Sequence, residues 1–432
     1  MSIPGIRSPH HPRKRRAVWA ASLTAIAAST ALTTNPAAAS PLDGLQVPQV
    51  AGAQGVPGYP QPVQHPGAPV PTPFGPEFLG GYISDISSYP PGSYQAVIQG
   101  FDDLRANHPE VMAQNLETTV RINNAAASDP QLIDRAQRDA AADQAGILTE
   151  FADALGPELG QHFRDALAEN RLPKTNFLLG NGYLARAGGI ASSSYFEKQN
   201  FGYERPFVVA PDRIQRYQKG SRDFYETSPS FPSGHTNQAA WVTTLWAIML
   251  PELGPQILDR GAEAGYDRLV MGVHYPLDVI GGRMTGTAAA ADRWNDLHMR
   301  DAITQASAEL RAELEWRAGK PLDQAIAASG AYHSTPDAVA EYTHRMTYDF
   351  GPITKQVNAP IVPKAAPDLL LTKFPQLNYE QRASVLRQTA IPGGYPLDDM
   401  SAAGSWQRMN LAAAFAAKVS VNGDGSVSVQ KA

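Results

Sequence analysis

Residues 231–251 read FPSGHTNQAAWVTTLWAIMLP, and how this stretch is read decides the fold. Ala239, Val242, Leu245, Trp246 and Met249 recur with the spacing of a helix, and Pro251 ends the run. Ser233 is a good N-cap residue, so Ser233, Gly234 and His235 fall at or just before the helix N-terminus. Free backbone N–H groups and the positive end of the helix dipole make such a place attractive to an anion. Gly234 lets the backbone come close to a ligand, and Ser233 can donate its hydroxyl. Alone, the segment reads equally well as an ordinary cap followed by a solvated histidine.

Two further pieces lie on either side. Downstream, Arg268, His274 and Asp278 are spaced Arg-X5-His-X3-Asp, and Pro276 favours a helix beginning near Tyr275 with Asp278 in its first turn. A carboxylate there can accept from Nδ1–H of His274 and leave Nε2 unprotonated and nucleophilic. It can equally do no more than complement the helix dipole. Upstream, Lys198 is followed after six residues by Arg205-Pro206. A lysine point charge and an arginine fork together suit a phosphoryl group, although surface charges can share that spacing.

Taken together, Lys198, Arg205-Pro206, Pro232-Ser233-Gly234-His235, Arg268, His274 and Asp278 resemble, in order and spacing, the three-part signature of the type 2 phosphatidic acid phosphatase superfamily. The likeness is nearest to bacterial class A non-specific acid phosphatases, which share a fold with vanadium-dependent haloperoxidases. It covers about residues 196–290. The resemblance implies an all-α helical bundle and a metal-independent phosphoric monoester hydrolase without cofactors. It implies His274 as nucleophile through a phosphohistidine, Asp278 as its tautomer-holding partner and His235 as general acid and base. Lys198, Arg205, Ser233, Gly234 and Arg268 would hold the phosphate oxygens. The same residues would bind vanadate, so a haloperoxidase is the rival enzyme reading, and a non-catalytic secreted anion-binding protein the third. One position departs from the family pattern: Asp267 stands where a serine precedes the arginine. A carboxylate facing phosphate would repel it, so Asp267 is expected to turn away and pair with Arg268 or another cation.

Working outward, the flanking sequence is mostly helical. Ser93 to His108 carries Val97, Ile98, Phe101 and Leu104 on one face, and Asp129-Pro130 opens another helix, Asp129 capping it. Further amphipathic runs follow in 147–156 and 158–170. The segment from Trp294 to His298, with Asp292 and Asp296, reads as the solvated tail of the helix after Pro276. Past 297 the chain is mixed but mainly helical, with runs at Gln305–Ala318, Ala338–Tyr348 and Tyr379–Arg387. Val419 to Val429, around Asn422-Gly423-Asp424-Gly425, reads as a small hairpin rather than a calcium loop, whose other ligand positions are missing.

The N-terminus reads as an address. Arg13 to Arg16 form a basic cluster before the alanine-rich stretch Ala17–Thr34, and Ala37-Ala38-Ala39 suits cleavage before Ser40. Arg15-Arg16 also loosely resembles a twin-arginine signal. The expected organisation is a signal peptide over 1–39, a Pro/Gly-rich disordered linker over 40–77, a helical domain over 78–296 and an extension over 297–432 of unknown role. Loss of 1–39, with five basic and no acidic residues, would take the net charge of −5 to −10. That balance offers nothing to nucleic acid or an anionic membrane. No later segment is apolar enough to span a bilayer. With no cysteine in 432 residues, disulfides, thiolate catalysis and cysteine-ligated metals are excluded. The partner to expect is a small-molecule or lipid phosphomonoester.

Overall fold

A computed structural model describes residues 60–142, 146–180, 182, 185–188, 193–218, 228–355 and 358–431. The expected signal peptide and the first part of the expected linker lie outside the described residues. The fold is all-α, with one two-stranded hairpin at its C-terminal end.

Among the described residues of the first half of the chain, the helices of six residues or more are α1 (Phe101–Asn107), α2 (Pro109–Ala125), α3 (Pro130–Ala141), α4 (Pro157–Ala168) and α5 (Tyr195–Phe201). The centre is a layer of three longer ones: α6 (Gly234–Met249), α7 (Gly254–Val270) and α8 (Pro276–Asn295). Against it pack α9 (Leu297–Ala318), α11 (Thr335–His344) and α13 (Leu411–Ala416), with α10 (Leu322–Ser329) on α9 and α4 and α12 (Tyr379–Thr389) on α13. As the sequence predicts, Asp129 caps α3 by accepting from Leu132 N at 3.0 Å, and Ser233 caps α6 by accepting from Thr236 N at 3.2 Å.

α6 is buried nearly all round and lies between α7 and α8. A helix apolar on every side belongs inside a bundle rather than on its surface. The α6–α8 contact depends on absent side chains. A Cβ at Gly282 would fall 2.5 Å from Ser233 O, and one at Gly286 2.3 Å from Asn237 O. These glycines, one turn apart on α8, let its backbone close on the first turn of α6, where Ser233 and His235 sit. Aromatic packing fixes the segment leading into that turn. Phe231 stacks on Phe101 with centroids 3.6 Å apart, and Phe201 of α5 meets both rings edge-on.

Several expectations are corrected. Asp292 and Asp296 do not form a solvated tail. Asp292 is buried and accepts from Ser88 N and Oγ and from Tyr94 Oη, while Asp296 accepts from Ser84 N and Oγ and caps α9. Buried carboxylates need such donors, and residues 84–94 supply them. The Pro-rich stretch is laid on the bundle from Pro60 on. Arg171, in a bidentate pair with Glu313 of α9, donates to Val63 O and Pro69 O, and Lys174 Nζ donates to Thr72 O. Residues after 296 share the core of those before it: Trp406, Leu411 and Phe415 are fully buried within it, and Trp294 Nε1 donates to Asp368 O. The expected hairpin is present as β1 (Lys418–Val421) against β2 (Val427–Gln430), with Val421 opposite Val427. Its Asp424 accepts from Ser426 N and Oγ, a turn's hydrogen bonding. Among the described residues no helix is long and apolar enough to cross a membrane.

Replacing Gly282 with alanine tests the close approach. At an unconstrained helix position the change stabilises by up to about 1 kcal/mol. Here it should cost ~1–3 kcal/mol, because Ser233 O must move to admit the methyl group. Thermal unfolding should show a Tm several degrees below that of the unsubstituted protein. An unchanged or raised Tm would mean that α6 and α8 are not in this contact.

Candidate active site

The residues singled out in the sequence come from four elements whose ends meet. Lys198 is carried by α5, and Arg205 by the extended residue that Pro206 imposes after it. Ser233, Gly234 and His235 open α6, Arg268 lies in the last turn of α7, and Asp278 in the first turn of α8. His274 sits in the connection between α7 and α8. Two asparagines of α2 fix both ends of that connection. Asn123 Nδ2 donates to Val270 O at 2.8 Å, closing α7, and Asn115 Oδ1 accepts from Leu277 N at 2.9 Å, opening α8. Ser233 N donates to Asp278 O at 2.9 Å, which ties the two helix starts together.

His274 is 1% exposed. Its Nδ1 lies 2.9 Å from Asp278 Oδ2, and its Nε2 lies 3.2 Å from Arg205 Nη1. A guanidinium can only donate, so Nε2 must accept and the ring hydrogen sits on Nδ1, directed at the carboxylate. Asp278 Oδ2 also accepts from Tyr275 N at 2.9 Å, as an acidic residue in a capping box does, and from the Ser230 hydroxyl. Burial pushes the Asp278 carboxyl up to about 6 against these donors. The His274 imidazole is held well below its usual value, first by burial and then by Arg205, Lys198 and Arg268 around it.

The cations are held by backbone oxygens. Lys198 Nζ donates to Pro229 O at 2.7 Å and Ser230 O at 2.8 Å. Arg205 donates to Ser228 O at 2.8 Å, Val273 O at 2.7 Å and Pro229 O at 3.3 Å. Burial, with Arg205 and Arg268 close by, drives the Lys198 ammonium well below its usual value. Arg268 is itself buried, and all three cations act on the His274 ring. His235, at the second position of α6, directs Nε2 to Ala140 O at 3.2 Å in the last turn of α3. A small void is lined by His235 and Arg268 together with Asp139, Gln238 and Ala264.

Asp267 is turned away from this cluster and fully buried. Its two oxygens take Arg135 Nε at 3.0 Å and Nη2 at 2.9 Å, a bidentate pair with α3. Burial raises the Asp267 carboxyl to about 7 in spite of that partner. The partner is not the neighbouring Arg268, which points along a different side of α7.

The sequence did not point to Ser230, whose hydroxyl and carbonyl join Asp278 to Lys198, nor to Asn115, Asn123, Arg135 or the Ala140 carbonyl. Each comes from a segment distant in sequence, and nothing local marks it. Ser230 had the one usable signal, its place two residues before Pro232 in the motif.

Residues 178–301 match the PAP2 superfamily. It is 27% identical over 180 residues to a non-specific acid phosphatase of Providencia stuartii, covering 41% of this chain and 66% of the relative. An acid phosphatase of Zymomonas mobilis is 31% identical over 113 residues, 26% of this chain and 42% of the relative. A non-specific acid phosphatase of Salmonella typhimurium is 28% identical over 139 residues, 32% and 50% respectively. The chain thus spans between 42% and 66% of these relatives' lengths.

A basic group whose pKa is lowered keeps its neutral form to lower pH. The His274 imidazole should therefore remain unprotonated well into mild acid. The acid limb of kcat/KM for p-nitrophenyl phosphate, which reports the free enzyme, should have its midpoint below 6.5. A midpoint at or above 6.5 would show that burial and the surrounding cations do not act on this ring as described.

Proposed function

We propose that this chain is an exported phosphomonoesterase that works through a phosphohistidine on His274, without a metal. The observation that carries the reading is the arrangement of His274: Nδ1 on Asp278, Nε2 on Arg205, inside a group of buried cations. Relatives named acid phosphatases and the PAP2 superfamily domain support a phosphate ester as substrate.

The chemistry follows from these groups. The phosphoryl oxygens of an incoming monoester exchange places with the groups that hold Lys198, Arg205 and Arg268, and the Ser233 hydroxyl and Gly234 N–H complete the cradle. When Arg205 Nη1 turns to a phosphoryl oxygen, the Nε2 lone pair of His274 is released towards phosphorus. Nε2 attacks, the bond from phosphorus to the ester oxygen breaks, and His235 gives that oxygen its proton. Asp278 stabilises the imidazolium character that develops on His274. The same His235 then takes a proton from water, which attacks phosphorus and releases inorganic phosphate and free His274. Three fixed cations stabilise charge on the equatorial oxygens throughout, the task a magnesium ion performs in other phosphoryl transfers. Export rests on the basic and alanine-rich character of residues 1–39.

Rapid quenching with a labelled, activated phosphomonoester tests the roles. Label should appear on His274, and His274→Ala should abolish both labelling and turnover. His235→Ala should lose about 10²–10⁴-fold with alkyl phosphates and much less with p-nitrophenyl phosphate, whose leaving group needs little protonation. Label on His235 or Ser233, or none at all, would overturn the assignment.

Vanadate should inhibit the enzyme as a transition-state mimic, and EDTA should leave activity intact. Activity lost to EDTA and restored by magnesium or zinc would end the metal-independent reading.

A further inference from the structure

The backbone atom that holds His235 lies at the end of a charged clamp. Ala140, whose oxygen accepts from His235 Nε2, follows Asp139 in the last turn of α3. Asp139 is buried and takes Arg260 Nη1 at 2.8 Å and Nη2 at 2.6 Å from α7. One turn earlier on α3, Arg135 grips Asp267 with two nitrogens and Glu263 with a third at 2.6 Å. The pairs run in opposite senses. Arg135 and Asp139 meet Asp267 and Arg260, so the two helices are antiparallel with complementary signs at each level. Sliding or rotating α3 would leave a buried charge without its partner, which a low-dielectric interior strongly disfavours. The segment after α10 braces the clamp from outside: the Tyr332 hydroxyl donates to Glu263, and His333 Nδ1 and Arg345 Nη1 each lie 2.7 Å from Asp259.

A carbonyl oxygen can only accept, so the Ala140 bond keeps a hydrogen on His235 Nε2 whether the ring is neutral or charged. Proton exchange with the leaving group then falls to Nδ1, and the position of the Ala140 carbonyl bears on the ring's aim. The void shared by Asp139, His235 and Arg268 puts the clamp, the ring and the phosphate-binding arm around one space. We infer that Asp139 and Arg260 are positioning residues for proton transfer: they fix the Ala140 carbonyl that aims His235 at the leaving oxygen. The inference rests on the role proposed above for His235. It assigns to this pair no part in holding phosphate, which Lys198, Arg205 and Arg268 do.

The test uses the full chain with Asp139→Asn, which keeps the shape and removes the charge. Arg260→Lys keeps the charge and gives up the two-pronged grip, and it serves also if the first variant unfolds. Each is assayed with glycerol phosphate, whose alkoxide must be protonated, and with p-nitrophenyl phosphate, whose phenolate need not be. Expected is a fall of tenfold or more in kcat for glycerol phosphate, under threefold for p-nitrophenyl phosphate, and vanadate inhibition within threefold of that of the unsubstituted enzyme. Losses of equal size on the two esters, or vanadate inhibition weakened in step, would show that the pair merely supports the fold and overturn the inference. Full activity on both esters would overturn it as well. If the unsubstituted protein hydrolyses neither ester, the proposed function fails first and takes this inference with it.

Discussion

One buried imidazole has to stay neutral among three buried cations, and the rest of the site follows from that constraint. Burial first, and then Arg205, Lys198 and Arg268 around it, hold the His274 imidazole well below its usual value, so its neutral form persists further into acid. What it still needs is the correct tautomer. Asp278 supplies this from one side and Arg205 from the other, each compatible with a hydrogen on Nδ1 alone.

The same constraint explains the loop before α6. Buried cations need acceptors, and here these are backbone oxygens that bring no full negative charge. Residues 228–230 provide carbonyl oxygens to Lys198 and Arg205. Two of the five residues from Ser228 to Pro232 are prolines, which have carbonyls to offer and no N–H to satisfy. The loop keeps its place because Phe231 is stacked between α1 and α5, and because Gly282 and Gly286 let α8 close on the turn that follows. Ring stacking and close backbone packing thus set the positions of the oxygens that hold the charge.

What the sequence revealed and what it hid divide along a physical line. The His274–Asp278 contact is local, four residues apart across a helix start, so spacing and Pro276 suffice to foresee it. Ser233 as a cap and Asp129 as a cap are local too, and both are observed. The orientation of Asp267 was foreseen from charge alone, since a carboxylate facing the expected phosphate would repel it. Its partner was not, because Arg135 belongs to a helix more than a hundred residues away. The Asp292 and Asp296 correction has the same origin. Carboxylates near a helix end read as solvated until the donors of residues 84–94 arrive from the other end of the chain.

The charged cluster behind the site poses a final question of design. Buried ion pairs seldom stabilise more than well-packed apolar residues would, so stability alone does not account for Arg135, Asp139, Arg260, Glu263 and Asp267 lying together. Apolar faces can slide past one another at little cost, whereas paired charges with alternating signs define one register. The pattern is visible on each helix: Arg135 and Asp139 one turn apart, and Arg260, Glu263 and Asp267 at helical spacing on a single face of α7. Asp267 therefore has a purpose of its own where the family carries a serine. It anchors α3 with a charge at the very level where Arg268, the next residue, stands among the cations around His274. A single turn of α7 thus carries one of the cations around His274 on one side and, on the other, grips the helix whose Ala140 carbonyl meets His235.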